Sequence, residues 1–436
     1  MPTLSTVAEA LRYVLTAVAD QAARDTHCIQ RQRRFTGATL VQTLVLGWLH
    51  QPHATVEQLA QMAATVGTVI TPQGLDKRWT EATATCLKQV LEAAVAQVVT
   101  SDPVVIPLLN RFTEVWLQDS SVILLPVELT SLWQGCGGTD PVKGKAALKI
   151  QVCLDMTTGH LRGPLLQEGR VHDLRAPAHT RVLAAGALRI ADLGYFSLAQ
   201  FHEIQEQEGY WLTRWQAGTV VSTMQGEPLN FIPWLDQQGS TIIDCAVRLG
   251  VARQMVARLL AARVPPEVAN ERRRHLKAEA KRRGQTVSKV RLGAADWTLY
   301  LTNIPTQMLT VTEALVLGRT RWQIELLCKL WKSHGCIDES RSTKPWRILC
   351  EIYAKLIGMV MQQWMMLTGC WHNPDRSLVK AAQTVRSYVM LLANALRGLV
   401  DLVAVLEQMA HCLAVGCRMN ARKKHPNTYQ LWLDCS

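Results

Sequence analysis

Three acidic residues lie in sequence contexts in which a carboxylate could hold a metal ion. Asp119 stands at or near the end of an apolar run, WLQDSSVILL, and Asp192 ends a shorter apolar run just before Gly194. A carboxylate beside such a run costs free energy unless it binds a cation or accepts strong hydrogen bonds. Two acids at the ends of adjacent elements could share a hard cation through oxygen ligands. Taken singly, each is more often a cap or turn residue.

The third acid, Glu325, lies in a run with helical periodicity, TRWQIELLCKLWKS. Arg321 precedes it by four residues and Lys332 follows it by seven, so one face of a helix would carry all three side chains. An ordinary ion pair on a surface helix explains this spacing as well. The functional alternative is that Glu325 completes a metal site while the two cations hold phosphates.

The elements around these acids change from helices to strands near residue 112. Partly alternating apolar runs predict strands at 114–123, 147–155, 160–167, 188–192 and 210–215, with helices at 176–185 and 198–207. Three antiparallel strands, a helix, a strand, a helix and a fifth strand is the order of the ribonuclease H-like fold. A capping box at Thr310 and Glu313 then starts a long helical region that reaches Lys332.

The first 108 residues have helical periodicity and a layout similar to a helix-turn-helix. Thr55 and Gln58 form a capping box, and Thr71 before Pro72 begins the next helix. That second helix carries Lys77 and Arg78, which could face a DNA groove. A plain helical bundle with a solvated charged face explains the same pattern.

The charge balance favours a polyanionic partner. Lys and Arg number 47 against 35 Asp and Glu, which gives a net charge of +12. Between 216 and 305, short β-type runs surround a dense basic stretch without a matching acidic run. We therefore favour DNA contact over a solvated face. The stretch contains Arg272, Arg273, Arg274, Lys277, Lys281, Arg282, Arg283, Lys289 and Arg291.

Other chemistries are disfavoured. The 12 cysteines show neither a disulfide framework nor a zinc spacing, so reduced thiols are expected. No Ser-His-Asp wording or phosphate-binding glycine loop stands out, which disfavours an acyl-transfer enzyme or an NTPase. The N-terminus lacks the pattern of a signal peptide, and the apolar stretches are too short for a membrane span. We expect a soluble cytoplasmic protein without a membrane partner.

The order and local wording of the three acidic pieces resemble the IS-four (insertion sequence four) family of DDE transposases, nearly end to end. The family's helix signature is Tyr-x-x-Arg-x-x-x-Glu, six residues and Lys, which Arg321, Glu325 and Lys332 match. Asp119 matches the family's first acid, and Asp192 matches the second, within the family's Asp-x-Gly-Tyr wording. Gly318 stands at the position of the family's Tyr, which helps to position the DNA strand.

The resemblance implies an α/β protein with a ribonuclease H-like core that a β-rich insertion interrupts. The length of 436 residues also predicts several domains. We expect an N-terminal helical DNA-binding domain at 1–108, the first part of the catalytic core at 109–215, the β-rich insertion with its basic stretch at 216–305, the second part of the core at 306–365 and a C-terminal helical region at 366–436.

The resemblance also implies a two-metal-ion mechanism of DNA cleavage and strand transfer. Asp119, Asp192 and Glu325 would hold two Mg²⁺ ions, for which Mn²⁺ could substitute, roughly 3.5 to 4 Å apart. Water would cut the transposon end, and the freed 3′-hydroxyl would attack target DNA. Arg321 and Lys332 would position phosphates. The partners would be double-stranded DNA, as transposon end repeats and target, and a second copy in a homodimer on DNA.

Two alternatives stay open. The replacement of the family's Tyr by Gly318 motivates a catalytically inactive, transposase-derived DNA-binding protein. A metal-dependent nuclease that hydrolyses DNA without joining it is the other. Among the remaining residues, Asp155 is a plausible turn or surface acid, and Asp173 could serve as an acid or base although a loop cap explains it as well. Trp297 is expected in the core rather than stacked on a base.

Overall fold

The computed structural model describes residues 4–30, 34–136, 146–175, 182–424 and 426–435. Within it the chain forms two units. The first unit comprises Met1–Ile106, Asp119–His172 and Gln323–Tyr429. The second comprises Pro107–Gln118, Asp173–Trp322 and Gln430–Ser436. The domain boundaries expected from the sequence stay predictions.

The N-terminal part of the first unit is helical, as the 3.6-residue periodicity predicts. Its helices are α1 (Leu4–Tyr13), α2 (Ala19–Asp25), α3 (Gly37–His50), α4 (Val56–Thr65), α5 (Pro72–Asp76) and α6 (Glu81–Ala96).

Threonine side chains begin several of these helices. The hydroxyl of Thr55 accepts from the Gln58 backbone N–H, and the Gln58 side chain accepts in return, which confirms the predicted capping box of α4. Thr71 caps α5, with Pro72 in its first turn, as the sequence predicts. However, α5 ends at Asp76, so Lys77 follows the end of a helix that is only five residues long.

The strands of the described residues form one mixed sheet in the order β3-β2-β1-β4-β5-β9-β8-β7-β6. Strands β1, β4 and β5 pair in parallel, and the other pairs for which the register is resolved are antiparallel. The strands are β1 (Val115–Leu125), β2 (Ala146–Asp155), β3 (Leu161–Glu168), β4 (Leu188–Ala191), β5 (Tyr210–Arg214), β6 (Val221–Ser222), β7 (Ile242–Leu249), β8 (Met255–Arg263) and β9 (Trp297–Thr302).

The strands around the acids lie within two residues of the predicted limits. The helix predicted at 176–185 is different: residues 176–181 lie outside the described part, and 182–185 are not helical. The second unit also contains strand β8, which the sequence reading did not identify. Five consecutive residues of β8 are buried, so its sequence lacks the alternation that reveals a strand with one solvated face.

The described helices of the second unit are α7 (Leu198–Glu206), α8 (Phe231–Gln237), α9 (Pro266–Arg282), α10 (Lys289–Gly293) and α11 (Val311–Thr320). The first unit continues with α12 (Trp322–Ser333), which begins at the unit boundary, α13 (Pro345–Leu367), α14 (Leu378–Ser387), α15 (Val389–Leu396) and α16 (Leu402–Gly416). A last helix, α17 (Thr428–Asp434), follows.

Helix α13 forms the centre of the first unit's helical core. Its residues from Ile348 to Leu367 are all buried, and they pack against α3 and α6. Burial on every face explains why most residues of this helix are apolar, and its buried Lys355 and Glu351 form an ion pair. Among the described residues, no helix is both long enough and apolar enough to cross a membrane.

Candidate active site

Asp119 lies in the middle of β1, where the strand passes from buried to half-buried residues. One of its carboxylate oxygens accepts a hydrogen bond of 2.8 Å from the backbone N–H of Ser120. The residue before it, Gln118, pairs in register with Ala191 at the end of β4. The paired register of β1 and β4 therefore ends one residue before Asp119 on one strand and one residue before Asp192 on the other.

Asp192 follows β4 directly and leads into a short 3-10 turn, Leu193–Tyr195. Its carbonyl accepts from the backbone N–H of Tyr195 at 2.9 Å. The side chain of Asp173 lies against this turn: a Cβ added to Gly194 would stand 3.1 Å from the Asp173 carboxylate. The glycine of the Asp-x-Gly wording therefore makes room for Asp173, which the sequence left open between an acid or base and a loop cap.

Glu325 lies in the first turn of α12, where the helix dipole favours a negative charge. Lys332, in the last turn, donates a 3.2 Å hydrogen bond from Nζ to the carbonyl of Val122 in β1. Both residues and Val122 belong to the first unit. Helix α12 therefore contacts β1 just beyond Asp119.

The helical region that the sequence predicts up to Lys332 forms two successive helices. Helix α11 ends at Thr320 and α12 begins at Trp322, with Arg321 between them at φ −52° and ψ −29°. Arg321 keeps a helical backbone conformation although the hydrogen-bond pattern is interrupted there. The predicted helical region from Thr310 to Lys332 is confirmed, and it consists of two helices that meet at Arg321.

The thiol of Cys328 reports on the electrostatics beside Glu325. Burial, first, and the negative charges of Asp119 and Glu325 raise the pKa of this thiol to about 12, while Lys332 opposes the rise. Two of the three predicted acids therefore act on one side chain of the first unit. The ammonium of Lys332, a predicted phosphate ligand, acts on the same thiol.

A buried cation beside the strand ends was not anticipated. Arg189 in β4 is 6% exposed, and its guanidinium donates to the side-chain oxygen of Gln118 at 2.6 and 3.1 Å. It also donates to the side chain of Gln200 in α7. Arg189 thus fixes the residue before Asp119. An arginine inside the apolar run LRIA was the available signal, because a buried charge needs hydrogen-bond partners.

The position of the family's tyrosine is occupied from another element. A side chain beginning at Gly318 in α11 would collide with the phenol of Tyr300 in β9, which is 5% exposed. Gly318 and Tyr300 both lie in the second unit. The glycine therefore does not leave a gap in the packing, since an aromatic ring from the sheet fills the space.

Comparison with known proteins identifies the family of this chain. Residues 114–361, more than half of the chain, match the family described as Transposase DDE domain. This chain belongs to the DDE transposase family. It is 26% identical to the transposase for insertion sequence element IS231F of Bacillus thuringiensis subsp. israelensis, over 96% of this chain and 92% of that protein.

Two further relatives match with lower identity or over a smaller part of the chain. The transposase for insertion sequence element IS231B of Bacillus thuringiensis subsp. berliner is 23% identical, over 96% of this chain and 91% of that protein. The putative transposase InsL for insertion sequence element IS186A of Escherichia coli (strain K12) is 29% identical over 40% of this chain and 50% of that protein. The family resemblance read from the motifs is confirmed.

In this DDE transposase, Asp155 has a structural role, as expected. Its buried carboxylate accepts hydrogen bonds from the backbone and hydroxyl groups of Thr157 and Thr158 in the turn between β2 and β3. Trp297 is 2% exposed and its indole N–H donates to Asp236 at 3.4 Å, which confirms the expected core position.

Another acid of the transposase, Glu313, is held in place by an arginine. Glu313 in the first turn of α11 accepts from Arg111 at 2.6 Å and closes the predicted capping box with Thr310. The Arg111 guanidinium, first, and the Thr310 hydrogen bonds outweigh partial burial and lower the pKa of the Glu313 carboxyl to about 2. Glu313 is therefore a structural anion, which separates it from the acids of the predicted site.

The basic stretch divides into inward and outward residues. Arg272 donates to the Trp297 carbonyl at 2.9 Å and to the Thr298 hydroxyl at 3.1 Å, and burial lowers the pKa of its guanidinium. Arg273 forms an ion pair with Asp296. Both join α9 to the start of β9. The exposed basic residues are Arg274, Lys277, Lys281, Arg282, Arg283, Lys289 and Arg291.

A cavity of about 470 Å³ lies beside α9 in the second unit. Its lining includes Arg214, Trp215, Arg272, His275 and Arg291. The positive charge of Arg214 also lowers the pKa of Arg272, after burial. A concave surface with three guanidinium groups and an aromatic wall suits an anionic, partly apolar ligand.

The two cations expected on a recognition helix lie outside it. Lys77 is the C-cap of α5 and is exposed. Arg78 follows it and places its guanidinium 5.9 Å from the centre of the Phe35 ring. Arg78 thus has a contact within the protein, whereas Lys77 faces solvent. Their DNA contacts stay predictions.

Proposed function

We propose that Asp119, Asp192 and Glu325 together form the active site of this DNA transposase, which cuts transposon ends and joins them to target DNA. The observation that carries the proposal is the contact of α12 with β1 in the first unit, where Lys332, on the helix of Glu325, donates to the Val122 carbonyl three residues beyond Asp119. The register of Gln118 with Ala191, one residue before each Asp, supports it. The third acid, Asp192, is assigned from its motif and from the order of the three acids along the chain.

We further propose that the sheet segment β3-β2-β1-β4-β5 is a ribonuclease H-like core. Its chain order, with β2 antiparallel to β3 and β4 parallel to both β1 and β5, agrees with that fold. The strands β6 to β9 with α9 would then be the insertion within it. In this arrangement the core fixes the strand that carries Asp119, and the insertion presents cations.

DDE transposases depend on divalent metal ions, and we propose Mg²⁺, with Mn²⁺ as a substitute. The donor set fits: carboxylates are hard oxygen ligands, and the negative charge of Asp119 and Glu325 favours a cation beside them. Divalent ions held there supply activation of the attacking oxygen and stabilisation of the leaving oxygen.

The residues around the acids have separate roles in this proposal. Lys332 would neutralise and position a phosphate, since its Nζ reaches the backbone of β1 just beyond Asp119. Arg321, at the break between α11 and α12, would hold a second phosphate. Arg189 would keep the strand of Asp119 in place through Gln118. Water attacks the phosphodiester at the transposon end, and the freed 3′-hydroxyl then attacks target DNA in line.

The exposed cations of α9 would contact the DNA backbone. Arg274, Lys277 and Lys281 have side chains in solvent, where they can meet phosphates, whereas Arg272 and Arg273 would act mainly by fixing α9. Two transposon ends must be joined in one reaction, so we propose a homodimer on double-stranded DNA.

The binding-only alternative was motivated by Gly318, and it stays open because the Tyr300 ring that fills this space is buried. A cleavage and strand-transfer assay with Mg²⁺ or Mn²⁺, on DNA that flanks the gene, separates the possibilities. Glu325→Ala should abolish nicking at a discrete end and keep DNA binding. Glu407→Ala, an exposed acid on α16, is the matched control and should cut as the wild type does.

Three outcomes have different meanings. Cleavage by Glu325→Ala at the wild-type rate would disprove the site assignment. Specific binding by the wild type without cleavage would favour the inactive DNA-binding protein. Cleavage without strand-transfer products would favour the nuclease.

A further inference from the structure

A cluster of possible metal ligands that includes none of the proposed active-site acids lies at the turn after α12. His53 in the loop between α3 and α4, and Cys336 and Glu339 in the turn after α12, have ligand atoms within 4.8 Å of one another. The imidazole Nε2 of His53 and a carboxylate oxygen of Glu339 are 3.6 Å apart. All three residues belong to the first unit.

The turn after α12 places Cys336 and Glu339 on one side. The backbone N–H of Cys336 donates to the Lys332 carbonyl at 3.0 Å, and that of Glu339 donates to the Cys336 carbonyl at 3.2 Å. Cys336 has φ +49°, a left-handed conformation that a residue other than glycine rarely adopts. The surrounding bonds thus hold a strained cysteine in a tight turn, three residues before the glutamate.

A buried lysine holds the backbone of this turn in place. Lys355 in α13 is 1% exposed, and its ammonium donates to the carbonyls of Cys336 at 2.7 Å and Glu339 at 3.0 Å. Its charge is balanced by Glu351, 2.7 Å away. Lys355 therefore binds the backbone oxygens of the two residues and leaves their side chains directed to other contacts. This arrangement preorganises the pair before any ligand arrives.

The donor types select the class of metal. An imidazole nitrogen, a thiolate sulfur and a carboxylate oxygen are the ligands of zinc and similar transition metals, whereas the proposed active site offers oxygen alone. Tetrahedral zinc with bonds of about 2.0–2.3 Å has ligand atoms roughly 3.3–3.8 Å apart. The three ligand atoms lie within 4.8 Å of one another, so side-chain rotations that move them by about 1 Å bring them to the distances that zinc requires.

We propose that His53, Cys336 and Glu339 bind one zinc-class transition metal ion, with solvent as a fourth ligand. The thiolate and the carboxylate neutralise the charge of a divalent ion, and the exposure of His53 and Glu339 admits the solvent ligand. The ion joins the loop after α3 to the turn that ends α12. A simple ion pair between His53 and Glu339 would account for those two residues, but it does not involve the nearby thiol.

Cobalt substitution tests the proposal without a transposition assay. Metal-free full-length protein is titrated with Co²⁺, which gives a thiolate-to-cobalt charge-transfer absorption that an all-carboxylate site cannot give. We expect one equivalent to produce this absorption, Zn²⁺ to abolish it by displacement, and Cys336→Ser to lack it. His53→Gln and Glu339→Gln should each weaken binding by at least about tenfold, because they remove a direct ligand.

The controls are Cys136→Ser and His202→Gln, which change an exposed cysteine and a partly exposed histidine elsewhere. Both should bind Co²⁺ as the wild type does. The proposal is overturned if the wild type shows no charge-transfer absorption, or if Cys336→Ser retains it. Since His53 and Glu339 are exposed, their variants remain folded and decide the question if Cys336→Ser does not fold: wild-type affinity in both would also overturn the proposal.

Discussion

Helices α12 and α9 both carry the cations that the sequence reading assigned to DNA, but they use them differently. On α12, Lys332 reaches the backbone of β1, and Glu325 acts with Asp119 on one buried thiol. On α9, the first two arginines bind carbonyl and carboxylate groups of the same unit, and the others face solvent. The spacing of charged residues on α12, beside β1, therefore indicates a chemical site. The dense charge of α9 indicates only a basic surface, some of whose residues pack against the protein.

The largest effect should follow from the cation that α12 directs to β1. Lys332→Ala should lower the rate of end cleavage about 10²- to 10³-fold, because a fixed charge beside the reacting phosphate is lost. Lys329→Ala, an exposed lysine on the same helix, should have little effect. Single-turnover cleavage at saturating protein measures both. Equal losses in the two variants would mean that α12 acts as a general basic surface, as α9 does.

The outward residues of α9 should affect binding rather than chemistry. The triple variant Arg274→Ala, Lys277→Ala and Lys281→Ala should reduce the slope of log K against log salt by about 3, because about three phosphate contacts disappear. Its melting temperature should stay unchanged. Filter binding or fluorescence anisotropy at several salt concentrations gives the slope.

The inward pair gives the matched comparison on the same helix. Arg272→Ala with Arg273→Ala should lower the melting temperature, since both arginines join α9 to the segment at the start of β9. Its salt slope should change less than that of the outward variant. A larger change of slope in this pair than in the outward triple would show that we have assigned the two sets to the wrong roles.

The exchange of the family's Tyr for Gly318 makes a prediction about packing. Gly318→Tyr should destabilise the protein by about 1–3 kcal/mol, because the new side chain begins where the Tyr300 ring lies. Adding Tyr300→Ala should recover part of that loss by vacating the space. Denaturant unfolding of the single and double variants measures the coupling. Simple additivity of the two changes would mean that the residues do not compete for one space.

The sequence predicted the local features of the fold well. The capping boxes at Thr55 and Thr310 and the strands around Asp119 and Asp192 depend on neighbours a few residues apart, so pattern alone reveals them. Strand β8 was missed because burial on consecutive positions removes the alternating pattern.

The contacts between distant segments could not be read from the sequence. Nothing in the basic run distinguishes Arg272, which binds a carbonyl of β9, from Arg274, which faces solvent. In the same way, His53 and Cys336 converge only through tertiary structure, so no zinc spacing appears along the chain. The acids of the candidate site are assigned from their sequence motifs and stay predictions, whereas the contacts of Arg189 and Tyr300 required the fold.

The smallest effect concerns Glu313, the acid of the Thr310 capping box, which has Arg111 as its partner. Its pKa is lowered from 4.5 to about 2, chiefly by Arg111, so its ionised form stabilises the fold. That contribution is fully present above pH 4.5 and is lost as the pH falls toward 2. Since Arg111 is one-third exposed, we expect Glu313→Gln to cost about 1–2 kcal/mol at pH 7.

Glu313→Gln keeps an amide oxygen that can still close the capping box with Thr310, so the variant isolates the charge. Urea unfolding of wild type and variant at pH 7, 4 and 3 should show a difference that shrinks with acid, because the carboxyl of the unfolded chain, with a pKa of 4.5, takes up a proton in this range before that of the folded chain does. Glu407→Gln, on the solvent side of α16, should show no such trend. A difference that stays constant from pH 7 to pH 3 would mean that the shape of the side chain, and not its charge, stabilises the start of α11. That outcome would also remove the electrostatic distinction between Glu313 and the acids beside Cys328, since a negative charge at Glu313 would then have no measurable role.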